Sequence, residues 1–348
     1  MNLNFKEKIL PLKKESVFSM EDQLVWCSTV QKDDNDGLYH MIFSKWPKEK
    51  GHLAWVTDSV LGYAVADKPE GPYRYIKELM VGSGGDNWDA DVIHNPTMIK
   101  FDGKYYLYYT GNKGGGEEQQ GISEDADNHM PVSGDAHWWA HRNNQRIGVA
   151  VADHPAGPWK RFDKPCIDVT PGSWDHLMVS NPTVTIGPGN KVYMVYKGVG
   201  QGELPKGGAV VCGVAVADHP LGPFQKVKGP IMVNPENPWS VEDPYIWYEN
   251  GMFYSIVKDF HGYFTKTGKQ STALFESKDG LDWYPSEYPL AFNCEIEWED
   301  GTLQPVAALE RPQLVFDGGK AVALLCASAF DEQRKKNVNV QFKLKQGE

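Results

Sequence analysis

The chain has 348 residues, a formal net charge of −11, and 41% hydrophobic and 12% aromatic residues. The acidic balance argues against nucleic acid and anionic membrane surfaces as partners, and no apolar run approaches the ~20 residues a spanning helix needs. The five cysteines, Cys27, Cys166, Cys212, Cys294 and Cys326, are odd in number and widely scattered, which reads as buried thiols rather than a disulfide framework or metal site. The opening residues lack a secretory h-region, so a cytoplasmic location is expected.

Two repeats run through the chain in step. Ala-Val-Ala-Asp-x-Pro-x-Gly-Pro-aromatic begins at Ala64, Ala150 and Ala215, with a worn copy over Phe275–Trp283. The second reads Asn95-Pro96-Thr97, Asn181-Pro182-Thr183, Asp243-Pro244-Tyr245 and Arg311-Pro312-Gln313, with a weaker opening copy at Cys27-Ser28-Thr29. Self-similarity at such intervals means one supersecondary unit used repeatedly.

In chain order, the first unit predicts strands over Trp26–Lys32, Tyr39–Ser44 and Gly62–Asp67. The second places them at Thr97–Phe101, Tyr105–Tyr109, Ile147–Asp153 and, outermost, Trp159–Phe162; the third at Thr183–Ile186, Val192–Lys197 and Gly213–Asp218. The fourth uses Tyr245–Tyr248, Met252–Val257 and Thr272–Ser277, and the fifth Gln313–Phe316, Ala321–Cys326 and Val338–Phe342. Short β-rich segments split by Asp-Gly, Asn-Gly and Gly-Pro argue for hairpins. The fold class is therefore all-β: one domain over residues 1–348, a five-bladed β-propeller of four-stranded antiparallel blades, closed radially so that few sheet edges remain. The fifth unit ends one strand short, and Leu3–Leu12 is expected to supply it.

In such a ring the residues entering each innermost strand converge on the axis. They are Trp26-Cys27, His94-Asn95, Ser180-Asn181, Glu242-Asp243 and Glu310-Arg311. Asn-Pro and Asp-Pro also occur simply as turn formers, but Glu310 has no such virtue and follows the apolar Ala307-Ala308-Leu309. Two carboxylates from adjacent blades, Asp243 and Glu310, thus approach one pocket, flanked by Arg311 and His94. Crowded acids split their pKa values. Long loops face the same mouth: 113–144 with His137-Trp138-Trp139; Trp46, His52 and Trp55; Lys197 and Gly198-Val199-Gly200; and Lys258-Asp259-Phe260-His261-Gly262. Aromatic faces with carboxylates and cations suit a sugar. Trp88, Trp174 and Trp239 are expected to pack between blades.

At these residues the chain resembles the five-bladed propeller glycoside hydrolases of family 43 and of family 117, which cleaves anhydro-galactose-containing red-algal oligosaccharides. Family 43 has an Asp-Pro whose aspartate tunes the acid, and a later Glu-x-Pro whose glutamate is the general acid; Asp243-Pro244 and Glu310-Arg311-Pro312 match these. The family's base corresponds to Asn95, which cannot accept a proton. Asp89 is the favoured substitute because Trp88-Asp89 recurs as Trp174-Asp175, with Asp91 next and Glu21 and Asp22 as further options.

The resemblance implies inverting hydrolysis of an oligo- or polysaccharide, with an acid and a base ~6.5–9.5 Å apart, and the long second-unit loop points to a closed, exo-type pocket. Glu310 is the expected acid, Asp243 its electrostatic partner, and Asp89 or Asp91 the base. Trp26, His94, Asn95, Asn181, Glu242, Lys258, His261 and Arg311 are expected to grip the sugar. His261 is an alternative acid, by analogy with a histidine of family 117. Arg311 would lower the pKa of a neighbouring glutamate, so it is expected to point away, pair with another carboxylate, or recognise an acidic or sulfated sugar. No cofactor is required and no dedicated metal site is expected, although the resemblance allows a divalent cation on the axis, held through His94. Two other readings stand beside hydrolysis. One is a carbohydrate-binding propeller without turnover. The other is a phosphorylase resembling family 130, needing clustered cations such as Lys197, Lys258 and Arg311. The sequence leaves the oligomeric state open.

Overall fold

A computed structural model of the chain describes residues 3–115, 124–125, 130–131 and 135–346. Much of the long second-unit insertion, with its acidic stretch, lies outside the described residues. Five antiparallel sheets form the body. The first blade runs outward through Gln23–Lys32, Tyr39–Pro47, Val60–Ala66 and Arg74–Met80. The third is Met178–Ile186, Val192–Val199, Val210–Ala217 and Gln225–Ile231; the fourth is Val241–Glu249, Met252–Asp259, Ser271–Ser277 and Tyr284–Asn293.

The second blade has three continuous strands, Val92–Phe101, Lys104–Asn112 and Arg146–Ala152. Its expected outer strand is reduced to isolated bridges, Val151 to Lys160 and Ile147 to Ile167. Two prolines, Pro158 and Pro165, flank this stretch and interrupt a regular ladder, since proline donates no hydrogen bond.

The fifth blade is Ala308–Asp317, Lys320–Ala329 and Asn337–Lys343, and its fourth strand is N-terminal. The closing strand is Val17–Phe18, paired with Val340 and Asn339, rather than the expected Leu3–Leu12. That earlier stretch makes only single bridges, Ile9 to Leu344 and Leu12 to Trp298. Phe18 anchors the closure by meeting Phe43 of the first blade edge-on at 4.8 Å.

The core consists of layers between neighbouring blades, because successive side chains of a strand point to opposite faces. In the strand Lys104–Asn112, Tyr105, Leu107 and Tyr109 pack towards the first blade, whereas Tyr106 and Tyr108 pack towards the third. Likewise Ile42 faces the second blade and Met41 and Phe43 face the fifth. The Pro-x-Gly-Pro turns need their glycines: Gly71, Gly157 and Gly222 have φ of 87°, 82° and 84°, the left-handed region that penalises a Cβ. No helix among the described residues is long and apolar enough to cross a membrane.

Candidate active site

Each innermost strand enters the ring through a bulge. The ladder with the second strand slips between Trp26 and Ser28, His94 and Thr97, Ser180 and Thr183, Glu242 and Tyr245, and Glu310 and Gln313. The residue at each slip is left-handed: Cys27, Asn95, Asn181, Asp243 and Arg311 have φ of 47°, 53°, 53°, 57° and 52°. Asn and Asp tolerate this region because their short polar side chains bond locally. Bulges of this kind re-aim a side chain, and here they aim one side chain per blade at the axis.

These five side chains form a hydrogen-bonded chain that runs around the axis. Cys27 Sγ donates to Asn95 Oδ1 at 2.8 Å, Asn95 Nδ2 to Asn181 Oδ1 at 2.6 Å, and Asn181 Nδ2 to Asp243 Oδ1 at 2.6 Å. From the other side Arg311 Nη1 reaches the same Asp243 oxygen at 3.4 Å. Burial pushes the Cys27 thiol well up, so it remains a donor. Donors converge on Asp243 from both directions, and Arg311 takes the expected option of pairing with another carboxylate.

Above these side chains is a cavity of about 390 Å³, within the ~300–1,000 Å³ of small-molecule sites. Aromatic walls come from Trp26, Trp46, Trp55, Trp138, Trp239 and Phe260. Trp239, expected mainly to pack between blades, lines the cavity and meets Phe260 at 5.4 Å. Three carboxylates, Glu242, Asp243 and Glu310, share the lining with five cations, Arg142, Lys197, Lys258, Arg311 and Arg334.

The acids are in unlike states. Lys258 donates to Glu310 Oε1 at 2.8 Å and Arg334 stands 3.6 Å from the same oxygen. These charges overcome burial and hold Glu310 far below the usual carboxylate range. Glu242 is also lowered, by Lys197 at 2.5 Å and Lys258 at 3.6 Å, against its burial. Asp243 goes the other way: burial and then the charge of Glu242 raise it to about 6, with Arg311 opposing. Burial lowers His94 to about 3, Lys197 and Arg311 adding to the effect. Its imidazole is therefore neutral, and neither ring nitrogen has a hydrogen-bond partner. Cationic neighbours make His94 a poor ligand for a divalent ion.

Of the sequence-predicted residues, Trp26, His94, Asn95, Asn181, Glu242, Asp243, Lys258, His261, Glu310 and Arg311 all line this cavity. Asp89 and Asp91, the expected bases, do not. Asp89 is buried inside the second blade, taking bonds from Ser83 Oγ at 2.5 Å and Tyr109 Oη at 2.8 Å and pairing with Arg161 at 3.0 Å. Asp175 repeats this with Tyr196 and Lys226. The recurring Trp-Asp is a brace for the blade. Asp91 accepts from the Gly114 backbone at 2.9 Å and lies 3.4 Å from His141 Nε2.

Arg142, Gln145, Asn237, Gln270 and Arg334 line the cavity but were not legible in sequence, since none sits in a repeated motif. Arg142 arrives on the helix Ala136–Asn143, whose N-terminus is capped by Asp135 accepting from Trp138 N. Among the described residues, the grouping of metal-type ligands is Asp33, Asp36, His40 and His154, none of which lines the axial cavity.

No protein-family profile matches the chain, and no curated protein matches it. Solved structures do. Zg3597, a family 117 glycoside hydrolase of the marine bacterium Zobellia galactanivorans, is 18% identical with a TM-score of 0.62, covering 97% of this chain and 89% of that one. BT0996, in its RGII complex, gives 12% identity and a TM-score of 0.67, over 99% and 94%. The arabinanase Arb43A of Bacillus subtilis gives 14% and 0.57, over 94% and 96%. The chain thus has the five-bladed propeller fold found in family 117 and arabinanase-type glycoside hydrolases.

Proposed function

We propose that the protein is a glycosidase that cleaves an oligo- or polysaccharide in the axial cavity. The observation that carries this reading is the split among its acids. Burial and the charge of Glu242 raise the Asp243 pKa to about 6, while Lys258 and Arg334 hold that of Glu310 low, and both acids line a pocket walled by tryptophans. Environments that drive neighbouring titratable groups apart mark acid and base assignments. The roles expected from the resemblance are therefore exchanged. Asp243 Oδ1 is engaged by Asn181 and Arg311, which leaves Oδ2 to carry the proton to the leaving oxygen. Glu310 is the candidate to take a proton from water, which would give inversion at a separation of ~6.5–9.5 Å. His94, Asn95, Lys258 and His261 remain the candidate sugar ligands. Helix residues Trp138 and Arg142 wall one side of the cavity, which favours exo-action.

A panel of nitrophenyl glycosides and plant or algal oligosaccharides, assayed with wild type, Asp243→Asn and Glu310→Gln, tests the reading. Losses of at least ~100-fold are expected for both variants, and proton NMR of the first-formed anomer reports inversion. Undiminished turnover in both would remove the assignment. A second reading, phosphorolysis, is favoured by the surplus of cations over carboxylates in the lining.

A further inference from the structure

We propose that the cavity contains an oxyanion subsite at the corner between the second and third blades, formed by Arg142 and Gln145 with His94 and Lys197. The inference takes the axial cavity as the sugar site, as above, and names the charge its ligand brings.

Arg142 is only 4% exposed, and its hydrogen-bond acceptors are uncharged: Nη1 donates to Asn143 Oδ1 at 2.9 Å and to the Lys206 carbonyl at 2.8 Å. The guanidinium lies over the Trp139 ring at 5.6 Å and has no carboxylate in ion-pair contact among the described residues. An arginine stays charged when buried, and a buried charge without a partner is strongly unfavourable. The acid that acts on it, Glu242, is already held by Lys197 and Lys258.

Two residues with unpartnered polar atoms line the same cavity as Arg142. Gln145 is fully buried, yet neither its Nε2 nor its Oε1 has a hydrogen-bond partner. His94 is 1% exposed with both ring nitrogens unpartnered. Backbone pairing places them together. The Gln145 carbonyl accepts from Val179 N, next to Ser180, whose strand partner is Lys197. His94 pairs with Thr110, whose Oγ1 accepts from Asn181 N. Arg142, Gln145, His94 and Lys197 all line the one cavity, and a guanidinium, an amide, an imidazole and an ammonium together match an oxyanion.

That oxyanion has two sources. It is either the carboxylate or sulfate of an acidic sugar, or inorganic phosphate. In the phosphate case its oxygen bonds to the anomeric carbon as the glycosidic C–O bond breaks. Asp243 gives its proton to the leaving oxygen and regains one from hydrogenphosphate.

Isothermal titration of the full chain with sodium phosphate, sulfate and galacturonate, against chloride at equal ionic strength, tests this. Wild type is expected to bind at least one saturably, with Arg142→Gln and Gln145→Glu at least tenfold weaker. Gln145→Glu is nearly isosteric and adds a repelling charge, so it decides the matter should Arg142→Gln fail to give native circular dichroism. No saturable binding by wild type, or undiminished binding by folded variants, would overturn the subsite. Binding is read without turnover, so a protein that binds oxyanion but cleaves no glycoside would sink the glycosidase reading and leave the subsite standing. Release of sugar phosphate that depends on added phosphate assigns the anion to the co-substrate; preference for uronate or sulfated substrates in its absence assigns it to the sugar.

Discussion

Asp243 is the residue on which the proposed chemistry turns, because it is the acid among the axial side chains and collects donors from both neighbours. Its acidity is set by burial and by Glu242, which place it at about 6. If the protonated carboxyl is the working form, kcat/KM is flat below that pH and falls about tenfold per unit above it. A profile that instead rises through pH 6 would mean that ionised Asp243 is required. Asp89 provides the contrast. Its carboxylate satisfies Tyr109 and Arg161 within the blade, so Asp89→Asn is expected to cost ~3–5 kcal/mol of stability, as for a broken buried pair. Turnover per folded molecule should stay close to wild type. Thermal melts combined with active-site titration separate the two effects, and a stable but inactive variant would restore Asp89 as a base.

At the scale of the element, the second and third blades share a brace. Trp88 stacks on Tyr109 with centroids 5.8 Å apart, and Trp174 meets Tyr196 at 5.5 Å. Both indoles lie over glycines. A Cβ on Gly213 or Gly198 would stand 2.3 Å from the Trp174 ring, and one on Gly148 would stand 2.7 Å from Trp88. The large ring is fixed from several sides and cannot withdraw, so Gly213→Ala is expected to cost ~1–3 kcal/mol through overpacking. Denaturant melts would show it as a lowered midpoint at unchanged slope; an unchanged midpoint would mean the indole moves freely. The repeat of this brace explains why Trp-Asp looked like a functional signature. The repeated Trp-Asp serves the scaffold, whereas the repeated bulge positions Asn95, Asn181, Asp243 and Arg311 line the cavity.

For the whole molecule, closure joins the ends of the chain. Val17–Phe18 completes the fifth blade against Asn339 and Val340, covering the outer edge of the strand Asn337–Lys343 at those positions, and Phe18 packs with Val25, Phe43 and Val315 across the seam between first and fifth blades. Phe18→Ala should therefore cost ~3–5 kcal/mol, and removal of residues 1–18 should lower the melting temperature further and promote association through the bared edge. Size-exclusion chromatography of the truncated chain checks the second effect; an unaltered monodisperse peak with an unchanged melt would show that the seam holds without the strap.

Much of this was legible in the chain itself. Repeated Asn-Pro or Asp-Pro and Pro-x-Gly-Pro segments determined five antiparallel blades, since alternating aromatic strands between fixed turns have few other ways to bury both faces. The same repeats located the axial side chains, because a residue at a recurring bulge occupies an equivalent place in every blade. Electrostatic state was decided only by tertiary structure. Lys258 and Arg334 come from different blades to hold Glu310 ionised, and Arg161 comes from across the second blade to claim Asp89. Charge and burial depend on neighbours in space, and the residues that supply them, Arg142 and Arg334 among them, carry no pattern along the sequence.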